Sequence, residues 1–441
     1  MVRQRASLVI LEILGGLILV VLVLAGLLVF RLSSGPIELE MFRDDIEQAL
    51  TNSRNGRPVT VEDVFLEWSS EDKRVLITGH DIKLLDEEGN VAAESDRARI
   101  VLSSSALVMG DVEVLGLDLV DGWINVTQAG ENLWYIAGDP LPEIPVGEMP
   151  QNPSEWLERI NAVLPQVLVA LREKQGEISL ERLSYEEFEM RVFGADSAPL
   201  FTLTDSKGLL LVNEDGLDLS LSGSGVGAGL PAGLAIDIHT SELGSRMQAS
   251  LAVAQWSLAD LAARLGTDSE FLSGVPADIT VEFNTSSAAG VEEIGVKAML
   301  AEGELPFGED GMKVSDLDLE MTYAATNDEL LISGTSTRFG PIAGAMDLTL
   351  ANALKGAGPR PFKLRSNALT LDFTPAFAAP VTLRDVRADG DADFPDRRFK
   401  DAKVEFVSND TLFKFATDMS LTSDRQENEP PILGMIELET E

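Results

Sequence analysis

The sequence contains no cysteine and is poor in histidine, tyrosine and basic residues. Without cysteine the chain can form no disulfide framework, no thiolate nucleophile and no cysteine-based metal site. Its two histidines, His80 and His239, are the only imidazoles available for acid–base chemistry or metal binding. Lysines and arginines number 34 against 73 aspartates and glutamates, and the resulting net charge of −39 argues against binding to nucleic acid or to anionic lipid headgroups.

Short motifs of enzymes and cofactor sites are also lacking. The chain has no G-x-S-x-G, no H-E-x-x-H and no P-loop. Gly223-x-Gly225-x-x-Ala228 fits a dinucleotide fingerprint only superficially, because a proline and a strand-like segment follow where a helix is needed, and a glycine-rich hairpin is the better interpretation. The run Asp389–Asp393 is interpreted as a solvated acidic turn, because Phe394 stands where a calcium loop needs glycine. We expect no catalytic residues, no metal and no cofactor.

One long apolar run is present at the start, from Ser7 to Phe30, with Glu12 as its only charge. At 1.5 Å per residue a helix of this length extends roughly 36 Å, enough to cross a hydrocarbon core. Arg3 and Arg5 precede the run and no basic residue lies among the ten that follow Arg31, which predicts a cytoplasmic N-terminus and translocation of the rest. A cleaved signal peptide is the alternative, but its apolar core is usually shorter and ends in small residues.

The chain divides into four regions by its hydrophobic pattern. Residues 1–34 are the stub and anchor, and residues 35–150 are expected to form a β region that opens with a short amphipathic helix. A second amphipathic helix is predicted for residues 151–175, and a strand-rich region for residues 176–441. A helical insertion is expected at Ser257–Leu265, and a change of phase at Leu115-Gly116 predicts a β-bulge. The first helix is indicated by apolar residues at helical spacing, namely Leu39, Phe42, Ile46 and Leu50.

Most of the chain alternates between apolar and polar residues, as in Leu217, Leu219 and Leu221 with Asp218 and Ser220 between them. This period of two predicts a mainly β protein with a long antiparallel sheet that has one apolar and one acidic or hydroxylic face. The apolar face has to be buried, and the few predicted helices cannot cover it. Either the sheet closes on itself around a filled core, which sequence physics alone favours, or it curls into an open groove that acyl chains cover.

After the anchor and the short helix, a strand leads into the motif Leu84-Leu85-Asp86, which is followed by Gly89 and Ala92. A second set of motif positions comes next, which are Ser105-Ala106-Leu107, Gly110, Leu117, Leu119, Ile124 and Val126. With these motifs, residues 5–130 resemble the AsmA-like family, in particular its YhdP branch. The resemblance favours the open groove. Members of this branch are usually much longer, so we expect this chain to be an N-terminal portion or a short version.

The resemblance implies a single-pass inner-membrane protein whose bulk is periplasmic and which carries phospholipids toward the outer membrane, supporting envelope integrity. Its partners would be phospholipid acyl chains, the inner membrane through Ser7 to Phe30, and envelope proteins. A non-catalytic scaffold for outer-membrane protein assembly is the alternative. The residues expected to line the apolar groove are Val64, Leu66, Leu117, Leu119, Leu217, Leu219, Leu221, Ile279, Val281, Phe283, Leu317, Leu319 and Met321.

Overall fold

The computed structural model of the chain is mainly β. It describes residues 31, 35–69, 74–103, 113–130, 133–140, 181–213, 216–227, 229–241, 245–260, 275–300, 302–305, 312–315, 317–339, 342–354, 358–372, 379–393, 398–420 and 439–440. The segment Ser7–Phe30 and the helix expected at 151–175 lie outside these residues. In the described part of the chain, no helix is both long and apolar enough to span a membrane.

The chain divides into two compact units. The first comprises Met1–Leu141, Gly176–Pro199 and Leu209–Val212, and the second comprises Pro142–Gln175, Leu200–Gly208 and Asn213–Glu441. The described part of the first unit contains a helix, α1, which spans Glu40–Ser53. Its strands are β1 Ile37–Glu38, β2 Val59–Thr60, β3 Asp63–Ser69, β4 Arg74–Leu85, β5 Val91–Leu102, β6 Val114–Gln128, β7 Trp134–Ile136, β8 Asp139–Pro140 and β9 Arg182–Phe193.

The strand that follows, β10 (Pro199–Val212), contributes residues to both units. The second unit continues with long strands joined mostly by hairpins. They are β11 Leu217–Val226, β12 Gly233–Ser241, β13 Arg246–Ser257, β14 Pro276–Ser286, β15 Gly290–Leu300, β16 Gly303–Leu305, β17 Met312–Ser315, β18 Leu317–Ala324, β19 Glu329–Phe339, β20 Ile342–Ala351, β21 Arg360–Leu371, β22 Val381–Asp393, β23 Arg398–Ser408, β24 Thr411–Ser420 and β25 Glu439–Thr440.

Pairing is antiparallel almost throughout, which confirms the predicted long antiparallel sheet. In the first unit β3, β4, β5 and β6 pair in sequence, and β9 then pairs with β6 in parallel. A parallel neighbour requires a long crossover, and the chain between β8 and β9 supplies it. In the second unit the pairs run from β11 to β25, and among the described residues no pairing joins the first of these strands to the last, so this sheet is not closed.

The short amphipathic helix predicted from the sequence is confirmed as α1. Ile46 and Leu50 are 0% and 2% exposed, and the helix contacts β2, β3 and β6. Glu47 also attaches the helix to the chain that follows β2, because its Oε1 accepts a hydrogen bond from the backbone N–H of Val61 at 2.7 Å. The helix therefore covers the apolar face of this sheet, which is completed by the buried residues Val59, Val61, Val64, Ile82, Ala98, Ile100, Leu117 and Leu119.

Arg54, at the C-terminal end of α1, anchors the helix to the hairpin of β7 and β8. Its side chain is 9% exposed and its Nε donates to Asp139 Oδ2 at 2.9 Å. Its Nη2 donates to the carbonyl of Ala137 at 2.6 Å. Arg57 adds a second contact, from Nη1 to Asp139 Oδ1 at 3.3 Å. Charge-assisted bonds of this kind are about twice as strong as neutral ones, so this network fixes the helix end.

Four neighbouring strands of the first unit each contain one extra residue, and the four extra residues lie at the same level of the sheet. Asp81, Asp121 and Glu187 have left-handed φ angles of 49°, 55° and 59°. The register places them and Asp96 side by side across β4, β5, β6 and β9. Aspartate tolerates this conformation better than most residues. Because each strand has one extra residue at this level, its alternation of buried and exposed positions shifts by one residue there. The shift occurs in all four strands together, so their pairing is kept. A separate bulge, at Leu115, confirms the predicted change of phase.

Candidate functional site

The most extended feature of the second unit is a row of apolar side chains across its sheet. One residue from each of twelve strands lies directly opposite an apolar residue of the next strand. We call this the central row. Its members are Leu221, Ile236, Leu251, Val281, Val296, Met321, Ile332, Leu348, Leu364, Ala388, Val404 and Phe415. At about 4.8 Å between strands, the row is about 50 Å long.

Apolar residues flank the central row on both sides, two positions away along each strand, so they share its face. On one side the matched residues are Leu219, Ile238, Ala249, Phe283, Ile294, Tyr323, Leu330, Leu350 and Phe362. On the other side they are Leu234, Val253, Ile279, Ala298, Leu319, Gly334 and Met346. Together the three rows make one broad apolar face.

The central row remains partly open to solvent. Leu251 is 38% exposed, and the other members of the row are half-buried. In a close-packed interior, side chains at the middle of such a face would be buried on all sides. In the described part of the second unit, the only helical segment is the single turn at residues 258–260. This face therefore differs from that of the first unit, which α1 covers.

Burial increases toward the two ends of the strands. At the ends that carry the turns after β14, β18 and β20, a buried cluster forms from Val291, Tyr323, Ala325, Leu350, Ala353, Phe362, Ala392 and Ala402. At the opposite ends Val275 and Leu317 are buried, with Leu300 and Leu319 packed against them. The apolar face thus has packed margins on either side of a half-exposed middle.

The reverse face of the same sheet is polar. A second matched row, made mainly of charged and hydroxylic residues, lies one position along each strand from the central row. Its members are Ser220, Asp237, Ser250, Glu282, Gly295, Thr322, Leu331, Thr349, Lys363, Asp389, Lys403 and Ala416. The two faces of the sheet therefore differ in polarity, and the apolar area of the central row is the part that is unfavourable in water.

All nine groove candidates of the second unit lie on its apolar face. Val281 and Met321 belong to the central row together with Leu221. Leu219, Ile279, Phe283 and Leu319 flank that row and are half-buried. Leu217 and Leu317 lie nearer the margins and are each 8% exposed.

The four candidates of the first unit also share one face. Val64 lies opposite Gly79, and Leu66 lies opposite Ile77. Leu117 and Leu119 continue the same rows through β5. Val64, Leu117 and Leu119 are 1%, 4% and 6% exposed, and Leu66 is half-buried. These side chains pack in the core of the first unit.

Groups capable of acid–base chemistry are dispersed. The ring of His80 lies edge-on to Phe65, with 5.2 Å between centroids, whereas His239 Nδ1 contacts the carboxylate of Asp218 on the polar face. Burial raises the pKa of Tyr323, and its hydrogen bond to Asp328 raises it further, so this phenol stays neutral. Burial likewise raises the pKa of Tyr185.

A polar cavity of about 630 Å³ lies beside His239 and includes Arg246, Asn284 and Glu293 in its lining. Its composition suits water and ions better than acyl chains. Within the described ranges, no three histidines, aspartates or glutamates are grouped so that they could hold a metal ion.

The acidic run Asp389–Asp393 corrects one sequence interpretation. It lies within strand β22, so the predicted turn is wrong. Asp389 is opposite both Lys363 and Lys403, and Asp391 is opposite Lys400. Opposite charges across neighbouring strands stabilise a sheet, and this outweighs the low strand propensity of glycine and aspartate. By contrast, Gly223 and Gly225 lie in β11 and lead into β12, as the predicted hairpin requires.

The Leu84-Leu85-Asp86 motif ends β4 and begins the turn to β5. Asp86 Oδ1 accepts the backbone N–H groups of Glu88 at 2.9 Å and Asn90 at 2.8 Å, and Gly89 has a φ of 85°. Burial acts to raise the pKa of Asp86, but hydrogen bonds from Asn90, Glu88 and Gly89 outweigh it and lower the pKa. The aspartate and glycine of this motif therefore have a structural role in the turn.

Several members of the central row were not among the sequence candidates. Ile236, Leu251, Val296 and Leu364 alternate with polar or small neighbours and carry the same signal as the chosen residues. Ile332 is harder to recognise, because Leu331 precedes it in β19 and breaks the alternation. In comparisons with known proteins, no family model, no curated protein and no solved structure matches this chain.

Proposed function

We propose that the apolar face of the second unit binds the acyl chains of phospholipids and carries them between the inner and outer membranes. The chain would be a single-pass protein anchored in the inner membrane by Ser7–Phe30, with its bulk in the periplasm. It would act through apolar contact and not through covalent chemistry. The resemblance to the AsmA-like family supports this proposal.

The observation that carries the proposal is the half-exposed central row. A partly exposed apolar strip of about 50 Å is unfavourable in water unless a ligand covers it. Its length exceeds the roughly 30 Å thickness of a whole hydrocarbon core, so an extended acyl chain from one leaflet fits along part of it. Several lipids could then occupy the face in succession.

The energetic benefit to the lipid is large. Exposing a methylene to water costs about 0.8 kcal/mol, so an acyl chain of about fifteen methylenes costs about 12 kcal/mol. A two-chain lipid crossing water unaided faces about twice that barrier. A continuous apolar face that covers even half of each chain would remove about half of this barrier, which speeds transfer by many orders of magnitude.

The polar reverse face supports the same function. It carries aspartate, glutamate and lysine residues in contact with water, including the pair Lys297–Glu320 at 3.6 Å. These charges, with the net charge of −39, keep a protein with an exposed apolar strip soluble and discourage association of its copies. The polar face by itself would equally suit a scaffold for envelope proteins, which is the alternative function.

Photo-crosslinking in the full chain tests the proposal. A photoreactive phenylalanine analogue is placed at Val281 in the central row, or at Thr280 on the reverse face as the matched control, in bacteria grown with labelled phosphate. Both positions are half-buried and adjacent in β14. We expect labelled phospholipid to attach at position 281 and not at 280. Attachment of envelope proteins at both positions, without lipid, would support the scaffold instead.

A further inference from the structure

The beginning of α1 presents apolar side chains to solvent. Met41 is 78% exposed and Phe42 is 38% exposed, whereas Ile46 and Leu50 farther along the helix are buried. Phe42 precedes Ile46 by one turn, so it lies on the same face of the helix as the buried residues but is itself partly exposed. The exposed methionine and the partly exposed phenylalanine are adjacent, so they form a small apolar patch at this end of the helix.

The chain before α1 is fixed to the sheet. Ile37 and Glu38 form β1, which pairs with Leu66 and Phe65 of β3. The backbone N–H of Leu39 donates to the carbonyl of Val64 at 2.7 Å. The start of α1 is therefore held at a defined place on the first unit.

This arrangement limits the distance between α1 and the apolar run that precedes it. The seven residue steps from Phe30 to Ile37 reach at most about 25 Å when fully extended. If Ser7–Phe30 spans the membrane, its C-terminal end lies near the bilayer surface. Met41 and Phe42 then lie within reach of the same surface.

We propose that Met41 and Phe42 insert into the surface of the bilayer that the chain spans, forming a second contact besides the anchor. The inference rests on the membrane anchor of the proposed function. The neighbouring acidic residues Glu40, Asp44 and Asp45 are exposed and outnumber Arg43, which is paired with Asp44 at 3.6 Å. The contact therefore suits a surface rich in zwitterionic phospholipid and not one rich in anionic lipid. Side chains of this kind bury their apolar atoms at the boundary between headgroups and acyl chains.

The absence of cysteine makes a direct test possible. A single cysteine in place of Met41 carries an environment-sensitive fluorophore in the full chain, which is reconstituted into nanodiscs of phosphatidylcholine containing lipids spin-labelled near the headgroup. Glu88→Cys is the matched control, because its turn lies near the C-terminal end of α1, where Arg57 contacts Glu87. The two ends of this helix are about 20 Å apart.

We expect the spin-labelled lipid to quench the fluorophore at position 41 at least fivefold more strongly than at position 88. Introducing Phe42→Asp into the Met41→Cys chain should reduce that quenching by at least half, and so should replacing half of the lipid with phosphatidylglycerol. Equal quenching at positions 41 and 88, whether weak or strong, would overturn the proposed contact while leaving the anchor intact. A chain that does not co-migrate with the nanodiscs would overturn the anchor itself, and the contact with it.

Discussion

A negative charge in the central row should weaken lipid binding strongly without unfolding the protein. Met321 lies in the middle of this row, opposite Val296 and Ile332, and is half-buried. We predict that Met321→Glu lowers lipid affinity about fifty-fold, because contact with about three methylenes is lost, at about 0.8 kcal/mol each and 1.4 kcal/mol per tenfold change. The free energy of unfolding should fall by only about 1 kcal/mol, since the side chain is already partly exposed.

The matched control is Thr322→Glu, on the adjacent residue of β18. Thr322 is also half-buried but lies on the polar face, opposite Gly295 and Leu331. It should leave lipid affinity unchanged and alter stability by less than about 0.5 kcal/mol. Lipid content by mass spectrometry and urea unfolding measure the two quantities. A loss of about 4 kcal/mol or more in Met321→Glu, as expected for an unpaired charge in a filled core, would refute the reasoning.

Three further predictions concern the first unit. Asp139→Asn should weaken the bonds from Arg54 and destabilise the unit by about 2 kcal/mol in urea unfolding, and an unchanged midpoint would contradict the role of this network. Gly122→Ala should cost about 3 kcal/mol, because the added Cβ would overlap the carbonyl oxygen of Glu94. The folded-state pKa of Asp86 is lowered, so its stabilising effect is present above its unfolded pKa of 3.8 and is lost as pH falls through the folded value. Hydrogen exchange of the Asn90 amide should therefore become less protected below about pH 4 and recover on returning to neutral pH.

Alternation was a reliable guide to the face on which each residue lies. Leu219, Val281 and Met321 are in different strands, yet they lie on the same face of the second unit's sheet, as expected from a period of two. The bulge at Leu115 was also predictable, because an added residue changes the phase of the pattern. The helical spacing of Phe42, Ile46 and Leu50 predicted α1 for a similar reason.

Features that depend on distant partners were not predictable. The parallel pairing of β6 with β9 joins residues far apart in the sequence, and no local pattern specifies it. Asp81 and Asp121 resemble ordinary strand or turn residues in the sequence. Only the pairing of the strands shows that they lie at the same height in the sheet. Asp389–Asp393 resembles a turn locally, but the lysines of β21 and β23 that stabilise it as a strand are supplied by the tertiary structure.

The sequence also could not determine whether the apolar face has a covering. Both units alternate in the same way, but Val64 and Leu119 are buried in the first unit, which α1 covers, whereas Val281 and Leu251 in the second remain partly exposed. Covering depends on how elements pack after the strands have formed. This difference between the two units leads to the proposal that lipid occupies the second one.

Native mass spectrometry, combined with lipid extraction, tests the central claim most directly. Residues 35–441 would be produced in a bacterial periplasm and purified without detergent, so that any bound lipid comes from the cell. We predict phospholipid bound in a defined stoichiometry, and its loss in Met321→Glu but not in Thr322→Glu. A stable, lipid-free monomer would contradict the account and indicate that the apolar face is filled by the protein itself.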